Sequence, residues 1–137
     1  MPGKDIYPYH YYKDATAVID WMVRALGFEP VMVVPGENGS VMHAELRFGD
    51  RIVMVSTAGS YPGAISPLDA GGATAGIALY MDDAELDAHY ARAKASGVPI
   101  YLELESKDYG GRSYSLRDPE GSEWTIGSYR AGNPANG

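Results

Sequence analysis

Three tyrosines at alternate positions near the N-terminus are the most distinctive chemical feature of this chain. Tyr7, Tyr9 and Tyr11 lie in the Tyr-rich segment 6–12, and the chain holds 11 Tyr against two Phe. Because side chains alternate between the two faces of a strand, this spacing places the three phenols on one face. Such a face can stack a planar or cationic ligand through ring contacts of about 1 kcal/mol each. A wall of partly buried tyrosines without a ligand is the alternative.

The three histidines are the next candidates, as groups for acid–base chemistry. His10 alternates with the tyrosines, and we expect it to face the helix layer as a hydrogen-bonded polar group. His89 falls in a charged helical segment and is expected to be exposed. His43 and Glu45 are two residues apart on a predicted strand. They form either a surface ladder with Arg47 or, if that face lines the ligand site, a general base and the carboxylate that orients it.

Other charged side chains favour ordinary surface roles. Glu103 and Glu105 alternate with leucines, and a solvated face is the favoured interpretation, although an apolar cleft would raise a carboxyl pKa enough for a general base. Arg112, which follows two glycines, either binds an anion or pairs with a surface carboxylate, and we favour the pairing.

Composition limits the classes of function. With 137 residues, 45% of them hydrophobic, the chain is long enough to bury one core. The absence of Cys excludes disulfides, a Cys-ligated zinc site and a cysteine nucleophile. A formal charge of -7 argues against a duplex nucleic-acid partner and favours neutral or cationic ligands. No apolar run reaches the roughly 20 residues of a membrane span, and no signal peptide is recognisable, so we expect no membrane partner and a cytoplasmic location.

The first part of the chain predicts a strand, a helix and three further strands. Residues 6–12 form the first strand, Asp14 caps a helix that ends at Leu26, and Gly27 stops it. Three strands follow, at 30–34, 41–48 and 51–56.

A segment rich in Gly and Pro, at 58–75, separates this part from the next. It carries Tyr61 and is either a lid over the ligand site or a connector that reaches a second subunit. The pattern then restarts with a strand at 76–81 and a helix that Asp82 and Asp83 cap. Strands at 99–104, 112–117 and 123–129 complete it, and 132–137 is expected to be a frayed tail.

Three features recur at an offset of 70 residues, each with the same predicted role. They are the helix-ending glycines Gly27 and Gly97, the strand pairs Leu46-Arg47 and Leu116-Arg117, and the turns Gly49-Asp50 and Pro119-Glu120. The repeat predicts two βαβββ modules. We therefore expect an α+β fold in which the modules form a curved mixed sheet around a cleft, with the helices on the outer face. One domain, 1–137, would comprise module 1 (6–57), a linker (58–75) and module 2 (76–130).

Several motifs extend this pattern over nearly the whole chain. They are Tyr12-Lys13-Asp14-Ala15, Ile19-Asp20-Trp21, Ala25-Leu26-Gly27-Phe28-Glu29, Leu46-Arg47-Phe48-Gly49-Asp50, Tyr109-Gly110-Gly111-Arg112 and Arg117-Asp118-Pro119-Glu120-Gly121 with Trp124. With paired modules of this size, the chain resembles the vicinal oxygen chelate superfamily. That superfamily includes glyoxalase I, extradiol dioxygenases, fosfomycin resistance proteins and bleomycin-binding resistance proteins.

The resemblance also locates the positions that hold a divalent ion in metal-dependent members, through four His, Glu or Gln side chains. These positions fall on Tyr7, Met54, Gly76 and Thr125. None is a good ligand for such an ion, since Gly has no donor, Met and Thr are weak and Tyr must first lose a proton. The resemblance thus implies a member without a metal or other cofactor.

We therefore predict a metal-independent small-molecule-binding protein that sequesters an antibiotic-like, aromatic or cationic ligand in a Tyr-lined cleft. A glyoxalase-like lyase or isomerase that uses Tyr and carboxylate acid–base chemistry on a small oxygenated substrate is the alternative, so enzymatic activity stays open. A cleft filled only by its own side chains is a third reading. By analogy with the superfamily we expect a homodimer. The predicted cleft residues are Tyr7, Tyr9, Tyr11, Met54 and Tyr80.

Overall fold

The computed structural model describes residues 3–132, and they divide into two compact units at Gly71 and Gly72. Each unit contains one four-stranded mixed sheet. Three α-helices accompany the two sheets. The predicted α+β class is confirmed.

The first unit has the predicted order of strand, helix and three strands. Its elements are β1 (Tyr9–Tyr12), α1 (Ala15–Trp21), β2 (Glu29–Pro35), β3 (Val41–Phe48), β4 (Arg51–Thr57) and a short α2 (Pro67–Ala70). The strands lie in the order β1-β4-β3-β2. β1 runs parallel to β4, and the other neighbours are antiparallel.

The first strand begins three residues later than predicted. Pro8 has no N–H group, so it cannot donate to a neighbouring strand. Only its carbonyl takes part, accepting a hydrogen bond from the Met54 backbone N at 2.9 Å. Tyr7 therefore lies in the extended lead-in to β1 rather than within it.

The helix after β1 begins and ends at the predicted residues. The Asp14 carboxylate accepts a 3.1 Å hydrogen bond from the Ala17 N–H, and Gly27 ends the segment in the left-handed conformation at φ 84°. From Met22 to Leu26 the turns widen to a π-helix, in which the Gly27 N–H donates to the Met22 carbonyl. The apolar side of α1 packs against β1 and β4.

The second unit repeats this topology. Its elements are β5 (Gly76–Tyr80), α3 (Asp83–Ala95), β6 (Ile100–Ser106), β7 (Arg112–Arg117) and β8 (Glu123–Gly127). The strands lie in the order β5-β8-β7-β6, again with one parallel pair, β5 with β8. Since each strand occupies the same position as its counterpart in the first unit, the prediction of two βαβββ modules is confirmed.

The predicted cap of α3 lies at the expected residue but makes no cap hydrogen bond. Asp82 occupies the N-cap position of α3, but its carboxylate accepts no hydrogen bond from the helix backbone. The carboxylate accepts from the Tyr80 hydroxyl instead, at 3.1 Å. A neighbouring phenol on β5 thus competes with the helix N–H groups for the same oxygen.

The Gly- and Pro-rich segment is partly ordered by a helix that the sequence did not indicate. Ser66 accepts a hydrogen bond from Leu68 N and so caps α2. The roles of lid and connector both stay predictions. Within residues 3–132 no helix has the length and apolar character of a membrane span. The predicted tail, except for Gly132, lies outside the described residues.

Candidate functional site

Strand register places the predicted tyrosines beside polar residues of two other strands. Tyr9 pairs with Met54, which pairs on its other side with Glu45. In the neighbouring row, Tyr11 pairs with Ser56. The opposite side of the same sheet carries the buried Tyr12, Ala44, Leu46 and Val55, on the side of α1. The side that points away from α1 is here called the tyrosine face, and it comprises Tyr9, Tyr11, His43, Glu45, Met54 and Ser56.

The rings on this face contact one another. The centroids of Tyr9 and Tyr11 lie 5.2 Å apart with an angle of 27° between the rings, which is a stacked arrangement. Tyr61, from the loop after β4, approaches Tyr11 edge-on at 6.3 Å. Tyr9 and Tyr11 are half-buried and Tyr61 is exposed, so the cluster borders solvent.

A chain of hydrogen bonds crosses the face next to these rings. The Tyr9 hydroxyl lies 3.2 Å from Nδ1 of His43, and Nε2 of His43 lies 2.8 Å from Oε2 of Glu45. The side chains of His43 and Glu45 are both 27% exposed. Arg47, which would extend a surface ladder, pairs instead with Glu29 at 3.4 Å. The structure therefore favours the arrangement of a histidine oriented by a carboxylate.

The Tyr9 hydroxyl lies in a partly dehydrated environment. Burial raises its pKa above the ordinary value, the nearby Tyr61 hydroxyl raises it further, and Ser56 lowers it. Ser56 is fully buried, and its Oγ has no hydrogen-bond partner of good geometry. Tyr9 is therefore held in its neutral form, next to an unsatisfied hydroxyl group.

Comparison with known proteins identifies the family. Residues 10–126 match the sequence profile described as the Glyoxalase/Bleomycin resistance protein/Dioxygenase superfamily. The chain belongs to this superfamily. An uncharacterized protein of Mycobacterium tuberculosis (strain ATCC 25618 / H37Rv) is 31% identical over 119 residues, which are 83% of this chain and 68% of that protein.

Solved structures of other proteins have a similar fold. TioX from Micromonospora sp. ML1 is 30% identical, with a TM-score of 0.71 over 93% of this chain and 100% of that one. The fosfomycin resistance protein FosX from Listeria monocytogenes, solved with Mn(II) and 1S,2S-dihydroxypropylphosphonic acid, is 16% identical. Its TM-score is 0.72, over 96% of this chain and 94% of that one. With 16% sequence identity, the similarity to FosX shows a shared fold and nothing about function.

The predicted site residues of this superfamily member fall in three places. Tyr9, Tyr11 and Met54 lie together on the tyrosine face. Tyr7 precedes β1 and is 49% exposed. Tyr80 belongs to the second unit, where its hydroxyl donates to Asp82 and the Arg130 guanidinium lies 4.3 Å from its ring centroid.

The predicted cleft residues did not include Ser56, and Tyr61 was named only as part of a segment that could form a lid. Ser56 alternates with Met54 along β4, so its place on the same face follows from strand periodicity once Met54 is included. Tyr61 lies in the loop after β4, and no local pattern indicates which side of the sheet that loop covers. Its contact with Tyr11 becomes visible only in the folded unit.

The other two histidines have structural roles. His10 lies on the helix side of β1, and its Nδ1 is 2.7 Å from the Tyr12 hydroxyl, as expected of a hydrogen-bonded polar group. The prediction of an exposed His89 is wrong, because this side chain is half-buried and its Nδ1 lies 2.6 Å from the Tyr114 hydroxyl. Tyr114 on β7 is fully buried, and its hydroxyl needs a partner on α3. Burial raises the Tyr114 pKa.

The charged surface residues of the second unit adopt the ordinary roles. Arg112 pairs with Asp83 at 2.9 Å and with Asp87 at 3.1 Å, as predicted for a surface arginine. Glu103 and Glu105 are exposed, as expected of a solvated face.

The four positions that would carry metal ligands in this superfamily do not provide a suitable donor set. Thr125 shares a 2.8 Å hydrogen bond with Ser115, Gly76 has no side chain, and Met54 offers only a thioether. Across residues 3–132, no three or more His, Asp or Glu side chains are grouped so as to hold a metal ion. The side chains at the positions that the resemblance assigns are chemically poor ligands for a divalent ion, and a member without a metal stays a prediction.

Proposed function

We propose that this superfamily member binds a planar aromatic or cationic small molecule on the tyrosine face, without a metal ion. The observation that carries this proposal is the stacked pair of Tyr9 and Tyr11, which borders solvent beside Tyr61. Phenol rings arranged in this way favour offset stacking with a flat ligand. Sequestration of an antibiotic-like ligand is the biological role we propose, because the superfamily includes bleomycin resistance proteins.

Charge supports a ligand that is neutral or positive. Glu45 lies on the same face as the rings, on the far side of Met54, and the chain has a formal charge of -7. A cation over a tyrosine ring gains about 0.5–2 kcal/mol, depending on how far it is desolvated. A negatively charged ligand would be repelled by the same groups.

The test uses proflavine, a planar aromatic cation whose fluorescence changes on binding. Each ring contact contributes about 1 kcal/mol, so Tyr9→Ala and Tyr11→Ala should each weaken proflavine binding about five-fold. Tyr109→Ala, which removes an exposed ring in the second unit, is the matched control and should leave the affinity unchanged. Unchanged affinity in both Tyr9→Ala and Tyr11→Ala would contradict the proposal.

A second candidate is a lyase or isomerase that acts by acid–base chemistry on a small oxygenated substrate. The hydrogen-bonded chain of Tyr9, His43 and Glu45 favours it, because a carboxylate-oriented imidazole can accept a proton through the phenol. Incorporation of solvent deuterium into hydroxyacetone, followed by NMR and abolished by Tyr9→Phe, would support this candidate. No exchange above the rate in buffer would exclude it for this substrate.

We also propose a homodimer in the cytoplasm, the former by analogy with the superfamily. Size-exclusion chromatography with light scattering gives the mass of the particle in solution. A mass of about twice that of the chain supports the dimer, and a mass equal to that of the chain contradicts it.

A further inference from the structure

A buried polar group on the tyrosine face is left unsatisfied. Ser56 is 0% exposed, and its Oγ has no hydrogen-bond partner of good geometry, although it lies close enough to the Tyr9 hydroxyl to lower the Tyr9 pKa. A buried hydroxyl in this state destabilises the folded chain. Ser56 on β4 pairs with Tyr11 on the neighbouring strand β1, and it lowers the pKa of Tyr9. Its side chain therefore lies on the tyrosine face, where we propose that the ligand binds. A ligand that hydrogen-bonds to Ser56 would remove this destabilisation.

The proton positions around His43 follow from the chemistry of its two partners. A carboxylate only accepts hydrogen bonds, so the bond to Glu45 places the proton of the neutral imidazole on Nε2. Nδ1 is then an acceptor, and the Tyr9 hydroxyl must donate to it. The Tyr9 oxygen therefore offers lone pairs, and no proton, to any further partner.

The charges on the tyrosine face favour a positively charged ligand group beside the Tyr9 and Ser56 oxygens. Glu45 stands two residues from His43 on this face, while the cation Arg47 is paired with Glu29. Tyr61, whose hydroxyl also affects Tyr9, belongs to an exposed loop and not to the sheet. A ligand can therefore displace the Tyr61 hydroxyl without moving a strand.

We propose that Tyr9, Ser56 and Glu45 form a subsite for a protonated amine carried by the aromatic ligand. This inference rests on the proposed function and makes its ligand class specific. The Tyr9 and Ser56 oxygens accept N–H bonds from the amine, and Glu45 supplies the opposite charge. His43 is a positioning residue, because it sets the direction of the Tyr9 hydroxyl.

The first test needs no ligand. Protein labelled with ¹⁵N-histidine is studied at pH 8 by long-range ¹H–¹⁵N NMR, with His43→Gln to assign the His43 signal. We expect the neutral tautomer with its proton on Nε2. A proton on Nδ1, or on both nitrogens, would leave the Tyr9 hydroxyl free to donate and would overturn the subsite while leaving aromatic binding intact.

The second test compares two probes of nearly equal shape, 2-naphthylmethylammonium and 2-naphthoate, by isothermal titration calorimetry. A charge-assisted bond to Tyr9 or Ser56 predicts about ten-fold tighter binding of the ammonium. Tyr9→Phe and Ser56→Ala should each reduce this preference several-fold, because Phe keeps the ring and Ala keeps the small volume. Tyr109→Phe, in the second unit, should not change it.

The possible results distinguish failure of the amine subsite from failure of aromatic binding on the tyrosine face. Equal binding of the probes, or an unchanged preference in both Tyr9→Phe and Ser56→Ala, overturns the amine subsite alone. Binding of neither probe, nor of the neutral 2-naphthalenemethanol, contradicts aromatic binding and the subsite together.

Discussion

Tyr9 and Glu45 flank Met54 from opposite sides in one row of the first sheet, although 36 positions separate them in the sequence. The parallel pairing of β1 with β4 and the antiparallel pairing of β4 with β3 bring them to this position. His43, one row away on the same face, then bridges both side chains. A strand register that differed by one residue would point one of these side chains into the helix layer instead.

Whether the protein requires a metal can be measured directly. Because Tyr7, Met54, Gly76 and Thr125 offer no suitable donor set, we expect purified protein to contain no stoichiometric metal. Its melting temperature should be the same with EDTA, Mn²⁺, Ni²⁺ or Zn²⁺. Elemental analysis and thermal shift measure both quantities, and a clear metal-dependent rise would show that a site exists.

Stability should fall at alkaline pH because of two tyrosines. The pKa values of Tyr9 and Tyr114 are raised above 10.0 in the folded chain, mainly by burial. Above pH 10 the unfolded chain therefore binds fewer protons than the folded one, so the free energy of unfolding decreases as pH rises. Melting curves between pH 8 and 11 should show a smaller decrease for Tyr114→Phe than for the wild type. Parallel decreases in the two proteins would contradict this account.

The two helix caps should differ in their contribution to stability. Asp14 accepts a backbone hydrogen bond from α1, so Asp14→Ala should lower the free energy of unfolding by about 1 kcal/mol. Asp82 makes no such bond to α3, and Asp82→Ala, the matched control, should cost less than about 0.5 kcal/mol. Urea denaturation of both variants gives the comparison. Equal losses would show that the Asp14 cap bond does not stabilise the protein in solution.

The turn before β8 depends on one buried carboxylate. Asp118 accepts hydrogen bonds from the backbone N–H groups of Glu120 and Ser122 and from Trp124 Nε1, each at 3.0 Å. Asp118→Ala should lower the free energy of unfolding by about 2–4 kcal/mol, since three buried donors lose their acceptor. Asp108→Ala, in the exposed turn between β6 and β7, is the control. A loss in Asp118→Ala no greater than in this control would contradict the assignment.

Local patterns accounted for most of the elements and for the family. The hairpin turn at Gly49-Asp50 lies between β3 and β4 as predicted, and Gly27 ends its helical segment in the left-handed conformation. These features need only two to four neighbouring residues to form, so the sequence encodes them directly. The alternation of Tyr9 and Tyr11 is likewise a property of the strand itself.

Contacts between distant residues were predictable only in part. The spacing of His43 and Glu45 allowed a base and its orienting carboxylate, but their bond to Tyr9 required the order of strands. His89 was expected in solvent because its helical neighbours are polar, yet the hydroxyl of Tyr114 lies beneath it. Hydrophobic periodicity predicts which face of a helix or strand a residue lies on. It does not predict which residue of a neighbouring helix or strand contacts it.

By itself, therefore, the sequence determined the two βαβββ modules, the superfamily and the face on which the first tyrosines lie. The tertiary structure alone decided that Ser56 is buried without a partner, that Tyr61 covers Tyr11, and that Asp82 bonds to Tyr80 rather than to α3. The reason is physical. Turns, caps and alternation depend on the backbone within a few residues, whereas burial and hydrogen-bond partners depend on which elements pack together.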